Sequence, residues 1–188
     1  MLTPRTINNC NTAEQLVQLI VQHLYNMHAM SLAAVLMRLP KLRCREPQPY
    51  ADCLQRYLVC APDDTARGLS NVMYALCKAP AAIQQQHQAA LQQQLLPAFV
   101  QKLSAANPQD ISNVLYGLAV SGQQLETRHL QQLLDAFASI LPQAKPQDVS
   151  NVLWAVATME QQVPSGQLQQ LLAALGWHAA AGQATGGV

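Results

Sequence analysis

Apolar residues fall at helical spacing along most of this chain. After Asp110, Ile111, Val114, Leu115 and Leu118 form one stripe at intervals of three and four, and Tyr116, Gly117 and Val120 make a second apolar or small surface. A helix that is apolar on two sides is buried on two sides. The next segment is simpler. Leu130, Leu133, Leu134, Phe137 and Leu141 share one face, with Gln, Arg and Asp opposite, the pattern of an amphipathic outer helix. The same pair returns as Val149, Val152, Leu153 and Val156, then Leu168, Leu171, Leu172 and Leu175. Strand-like runs of Val, Ile, Thr and Tyr are absent, and Ala and Gln, which both favour helix, fill much of the sequence. The pattern predicts an all-α chain.

The helix pairs are copies of one another. "GLSNVMYALCKAP" from Gly68, "DISNVLYGLAVSG" from Asp110 and "DVSNVLWAVATME" from Asp148 align without gaps. Their shared Asn falls at 71, 113 and 151, so the copies lie 42 and then 38 residues apart. A degenerate copy, "SLAAVLMRLPKL" from Ser31, has Ala34 at the Asn position and Met37 at the aromatic one. Repetition at this period predicts an α-solenoid, in which neighbouring units bury the two faces of each inner helix. The inner helices are expected at about 30–39, 65–78, 108–121 and 146–159. Asn107, Pro108 and Asp110 form a helix start with cap, first-turn proline and acid. The adjacent acids Asp63 and Asp64 are expected to cap a helix beginning near Thr65. Ala13 to His28 and Tyr50 to Cys60 read as outer helices. Pro97 predicts a kink or break near Leu96. Residues 13–177 form a single helical-repeat domain on this reading, with residues 1–12 and the Ala/Gly-rich 178–188 expected to be disordered.

Composition narrows the chemistry. Charged residues make up 11% of the chain, against about 25% in ordinary domains, and the net charge of +1 names no partner. Arg38, Lys41, Arg43 and Arg45 cluster with no acid among them, either as a solvated loop or as a polyanion contact. The five cysteines include no CxxC pair and fit reduced thiols; none pairs with His at metal-site spacing. No metal or cofactor is expected. No apolar run approaches the roughly 20 residues of a membrane span. The N-terminus makes a poor transit peptide. No Ser/His/Asp or Cys/His set can be assembled on such a fold, and the chain is expected not to be an enzyme.

Asn71, Asn113 and Asn151 sit mid-helix, where Asn is a mediocre choice. Each has an aromatic three residues on: Tyr74, Tyr116 or Trp154. Two readings are open. The amides set the register between units through buried hydrogen bonds, or they line a groove that grips a ligand.

The phrases "SNVLYGLA" and "SNVLWAVA", each opening a helix pair after "PQD", resemble the octotricopeptide repeats of green-algal organelle proteins. They are also similar to the heptatricopeptide, or FAST leucine-rich, units of FAST kinase-like and RAP-domain proteins. The resemblance covers roughly residues 31–175. It implies an α-solenoid that binds single-stranded RNA and acts in stability, processing (rRNA processing included), splicing or translation of chloroplast or mitochondrial transcripts. Arg38, Lys41, Arg43, Arg45, Arg67 and Lys78 are then the candidate RNA contacts, because basic side chains supply most of the affinity for phosphate. The runner-up class is a protein-binding scaffold. Armadillo-type solenoids hold extended peptides with rows of inner-helix Asn, and repeat-type bacterial effectors are a more distant look-alike.

Overall fold

Helix caps divide the chain into units. Thr65 Oγ1 accepts from Gly68 N at 3.1 Å at the start of one inner helix. Asn107 Oδ1 accepts from Asp110 N at 3.0 Å, and Asp110 Oδ2 accepts from Asn107 N at 3.1 Å, a reciprocal capping box. Asp148 Oδ2 accepts from Lys145 N at 3.0 Å at the next. His28 caps the degenerate copy by backbone conformation alone. The structure, a computed structural model, describes residues 3–176.

Among those residues there is no strand. The helices are α1 (Pro4–Asn8), α2 (Ala13–His23), α3 (Ala29–Lys41), α4 (Pro47–Cys60), α5 (Ala66–Cys77), α6 (Ala81–Ala90), α7 (Leu96–Val100), α8 (Pro108–Val120), α9 (Thr127–Ser139), α10 (Pro146–Thr158) and α11 (Ser165–Ala174). They form two layers. The inner helices pack in chain order, α1 on α3, α3 on α5, α5 on α8 and α8 on α10. The outer helices follow the same order from α2 through α4, α6, α7 and α9 to α11. One hydrophobic core runs through every unit, from Ile7 through Leu36, Met73, Leu115 and Val152 to Leu171. The fold is an all-α stack of helix pairs, and the inner helices lie within two residues of their predicted limits.

Three expectations are corrected or refined. Residues 4–8 form α1, whose Ile7 is fully buried, where disorder was expected for 1–12. Arg38 holds this segment, donating from Nε and Nη2 to the Cys10 carbonyl at 3.2 and 2.7 Å. The kink or break expected near Leu96 takes the form of a change of helix type within a continuous helical run. A π-helical stretch, Leu91–Leu95, leads directly into α7, with Pro97 in its first turn, and the wider π turn accommodates the missing N–H and the ring. The first outer helix stops at His23 and continues as a 3₁₀ turn over Leu24–Asn26, short of His28. Disorder expected for 178–188 lies outside the described residues.

Glutamine joins the units on the outer side. Gln92 Nε2 donates to the Gln124 carbonyl at 3.1 Å, and Gln161 Nε2 donates to the Leu125 carbonyl at 2.9 Å. Between α11 and α9, Gln167 donates to Asp135, which also accepts from Gln131 on its own helix.

Candidate nucleic-acid interface

The expected ladder of buried Asn amides is absent. Asn71, Asn113 and Asn151 are each half-buried. Asn151 Oδ1 accepts from Gln147 Nε2 on its own helix at 3.0 Å. The amides of Asn71 and Asn113 bond to no described residue. Register between units is carried instead by the residues before Asn71 and Asn113. Ser70 Oγ lies 3.2 Å from Asp110 Oδ1 and 3.0 Å from the Arg67 carbonyl, and Ser112 Oγ lies 3.3 Å from Asp148 Oδ1 and 3.1 Å from the Gln109 carbonyl, so each hydroxyl proton is shared between its own helix and the next unit. Both serines and both aspartates are buried. Each aspartate therefore serves twice, capping its own helix and accepting from the previous unit, so a buried carboxylate has donors on both oxygens.

The junction between α3 and α5 departs from this pattern. Ala33 stands at the Ser position and Gly68 at the Asp position. A Cβ on Gly68 would lie 2.1 Å from Asp64 Oδ2, so the Asp64 carboxylate already fills that place. It accepts there from Tyr57 Oη at 2.6 Å and from Thr65 N at 2.7 Å. Burial, and then this bond to Asp64, push the Tyr57 hydroxyl well above the usual tyrosine range. The acid pair does not cap this helix as expected: Thr65 is the cap, and Asp64 is engaged with Tyr57 and the Thr65 N–H at the junction.

With register assigned to Ser and Asp, the Asn residues belong to the open side of the stack. On α5 and its C-cap the solvent-facing positions are Arg67, Asn71, Tyr74 and Lys78, at helical intervals of four, three and four. The same positions hold Gln109, Asn113, Tyr116 and Val120 on α8, and Gln147, Asn151, Trp154 and Thr158 on α10. On α3 they hold Met30, Ala34, Met37 and Lys41. The inner helices thus present four parallel rows as one strip. Ring contacts tie the rows together. Tyr74 and Tyr116 stack with centroids 6.3 Å apart, and Tyr116 and Trp154 lie 5.0 Å apart at 42°. Lys78 Nζ sits 4.7 Å from the Tyr116 ring centroid and 5.6 Å from that of Tyr74, a cation over two rings. Close approach of α5 and α8 makes the stacking possible. Gly117 meets Cys77 so nearly that an added Cβ would lie 3.2 Å from the Cys77 Cβ.

The strip sorts the six basic candidates. Lys41, Arg67 and Lys78 are exposed on it. Lys41 and Lys78 line one groove of about 240 Å³ with Met37 and Tyr74. Arg38 is consumed in holding α1 and is not available. Arg43 closes α3 in the left-handed region, with φ 56°, while Cys44 N donates to the Leu39 carbonyl. Arg43 and Arg45 line a different recess, beside Glu14 and Glu46 on the α2 side. The four-residue cluster in the sequence is therefore not one surface. Pairing Tyr74, Tyr116 and Trp154 with the Asn row needed only the repeat spacing. Splitting the cations needed the turn at Arg43 and the α1 contact, neither of which has a period.

No group of three or more His, Cys, Asp or Glu that could hold a metal occurs among the described residues. Burial raises the Cys53 thiol to about 12 and the Cys77 thiol to about 11, so both are unreactive core residues. No described helix is long and apolar enough to cross a membrane. The sequence matches no protein-family profile and finds no significantly similar curated protein, so the strip is read from its own chemistry.

Proposed function

We propose that the strip across α3, α5, α8 and α10 binds single-stranded RNA, and that the protein acts on chloroplast or mitochondrial transcripts after transcription. One observation carries the reading: a free or solvent-side Asn amide stands beside an aromatic ring in the same place on each of three successive units. An amide offers both donors and an acceptor, which suits the hydrogen-bonding edge of an unpaired base. Helical-repeat proteins read single strands at about one base per unit with two or three side chains. Aromatic rings add stacking that tolerates any base. Lys41, Arg67 and Lys78 supply the phosphate contacts, and the resemblance of the repeat phrase supplies the organellar setting. No part of the reading requires an enzyme or a cofactor.

A second reading has its own support. Beyond Lys78 the strip is uncharged, with Gln109, Val120, Gln147 and Thr158 at its edges. A neutral Asn-lined groove suits an extended peptide, as in an armadillo-like scaffold. Filter binding with short oligo(A), oligo(C), oligo(G) and oligo(U) strands separates the two. With three cations engaged, log K should fall with log[salt] at a slope of about −2, since each phosphate contact on a single strand contributes about −0.7. At least one base should bind better than the rest. Absence of binding, or binding with neither salt dependence nor base preference, would overturn the RNA reading.

A further inference from the structure

The stack ends on a surface that every earlier unit keeps buried. Ser112, Leu115 and Ala119 on α8 are covered by α10, and Leu130 on α9 is covered as well. Their counterparts on the last unit are open. Ser150 and Ala157 are exposed, Leu153 is half-buried and Leu168 is 39% exposed. Between α10 and α11 this leaves an apolar recess of about 250 Å³, lined by Leu153, Ala157, Val163 and Leu168. Continuity with the two interfaces already formed shows what shape fits: another inner helix. The Ser–Asp pairs show its chemistry. A Ser faces the next unit wherever that unit begins with Asp, at 70 with 110 and at 112 with 148. Where the next unit has Gly68 instead, the facing residue is Ala33. Ser150 continues the first pattern, and no described residue answers it.

We propose that the C-terminal face of α10 and α11 docks a further helical-repeat unit whose inner helix carries an aspartate at its third position. A second copy of this chain does not qualify through its first helix, since α1 has Thr6 at that position. The residues after Gly176 contain neither Asp nor Glu. The inference is independent of the RNA reading, because this face lies at the end of the stack and not on the strip.

The test joins a second copy of residues 140–188 after residue 177, which keeps the 36-residue interval that separates Ser112 from Asp148, so that the Asp148 of the appended copy can meet Ser150. Thermal unfolding of the extended and original chains is then compared, each with and without Ser150→Ala. The extended chain should melt roughly 5 °C higher, as nearest-neighbour stabilisation requires, and amide exchange in α10 should slow. Ser150→Ala, or Asp148→Ala in the appended copy alone, should lower its Tm by about 3 °C. Ser150→Ala should shift the original chain by less than about 1 °C. No rise on extension, or equal loss from Ser150→Ala in both chains, would overturn the proposal. So would sedimentation showing that the original chain dimerises in a way Ser150→Arg abolishes, since the occupant would then be a second copy.

Discussion

Ser112 Oγ reaches the Asp148 carboxylate inside the core, while the Asn113 amide beside it bonds to no described residue. Their substitutions should therefore separate. Ser112→Ala leaves a buried carboxylate oxygen short of a donor and should cost about 1–3 kcal/mol. Asn113→Ala removes no internal bond and replaces a poor helix former with the best one, so stability should change by less than about 0.5 kcal/mol or rise. Urea unfolding of the two variants checks this, and a larger loss from Asn113→Ala would return the amide to a structural role. The contrast also explains what was legible. A polar residue recurring in mid-helix is conspicuous, so Asn113 stood out at once. Ser112 is small and fits anywhere, and Asp148 already had a reason to exist as a helix-start acid. That one aspartate serves two units is a matter of packing across 36 residues, which no local pattern encodes.

Among the elements, the second unit's outer segment is the irregular one. It is the longer copy, and its helix passes from α6 through the π stretch Leu91–Leu95 into α7. Pro97 signalled an irregularity, but not its form, because relief of a proline by a wider turn depends on neighbouring packing. The same segment buries His87, whose Nε2 has no hydrogen-bond partner. Burial lowers its pKa below the usual histidine value. The unfolded chain therefore takes up a proton before the folded one does. The stability linked to neutral His87 is fully present above the ordinary histidine pKa and is lost as pH falls through the lower folded value. Unfolding free energy should decline as pH falls below the ordinary histidine pKa of about 6.5, and His87→Leu should flatten part of that decline. An unchanged pH dependence in His87→Leu would show that other groups carry it. By contrast α1 was illegible: five residues with one apolar side chain make no periodic signal. The Arg38 side chain, from another unit, holds that segment in place.

Across the whole molecule, the repeat separates two sets of positions that share each inner helix. One set faces neighbouring helices and is nearly constant: Val72, Val114 and Val152, with the Ser–Asp junctions. The other faces solvent and is graded, from apolar Met30 at 70% exposure through Lys78 to the uncharged row that ends beside Trp154 at 45%. The strip was half legible beforehand, since its Asn and aromatic rows follow from spacing. Its basic end was obscured by Arg43 and Arg45, which lie near in sequence but on another face. That separation gives the most direct test of the account, the RNA affinity of two double variants. Lys41→Ala with Lys78→Ala should weaken binding about tenfold or more and reduce the salt slope by about 1.4, two contacts' worth for a single strand. Arg43→Ala with Arg45→Ala should leave both within experimental scatter. The reverse order, with the Arg43 and Arg45 pair dominant, would contradict the assignment of the strip as the RNA-binding face.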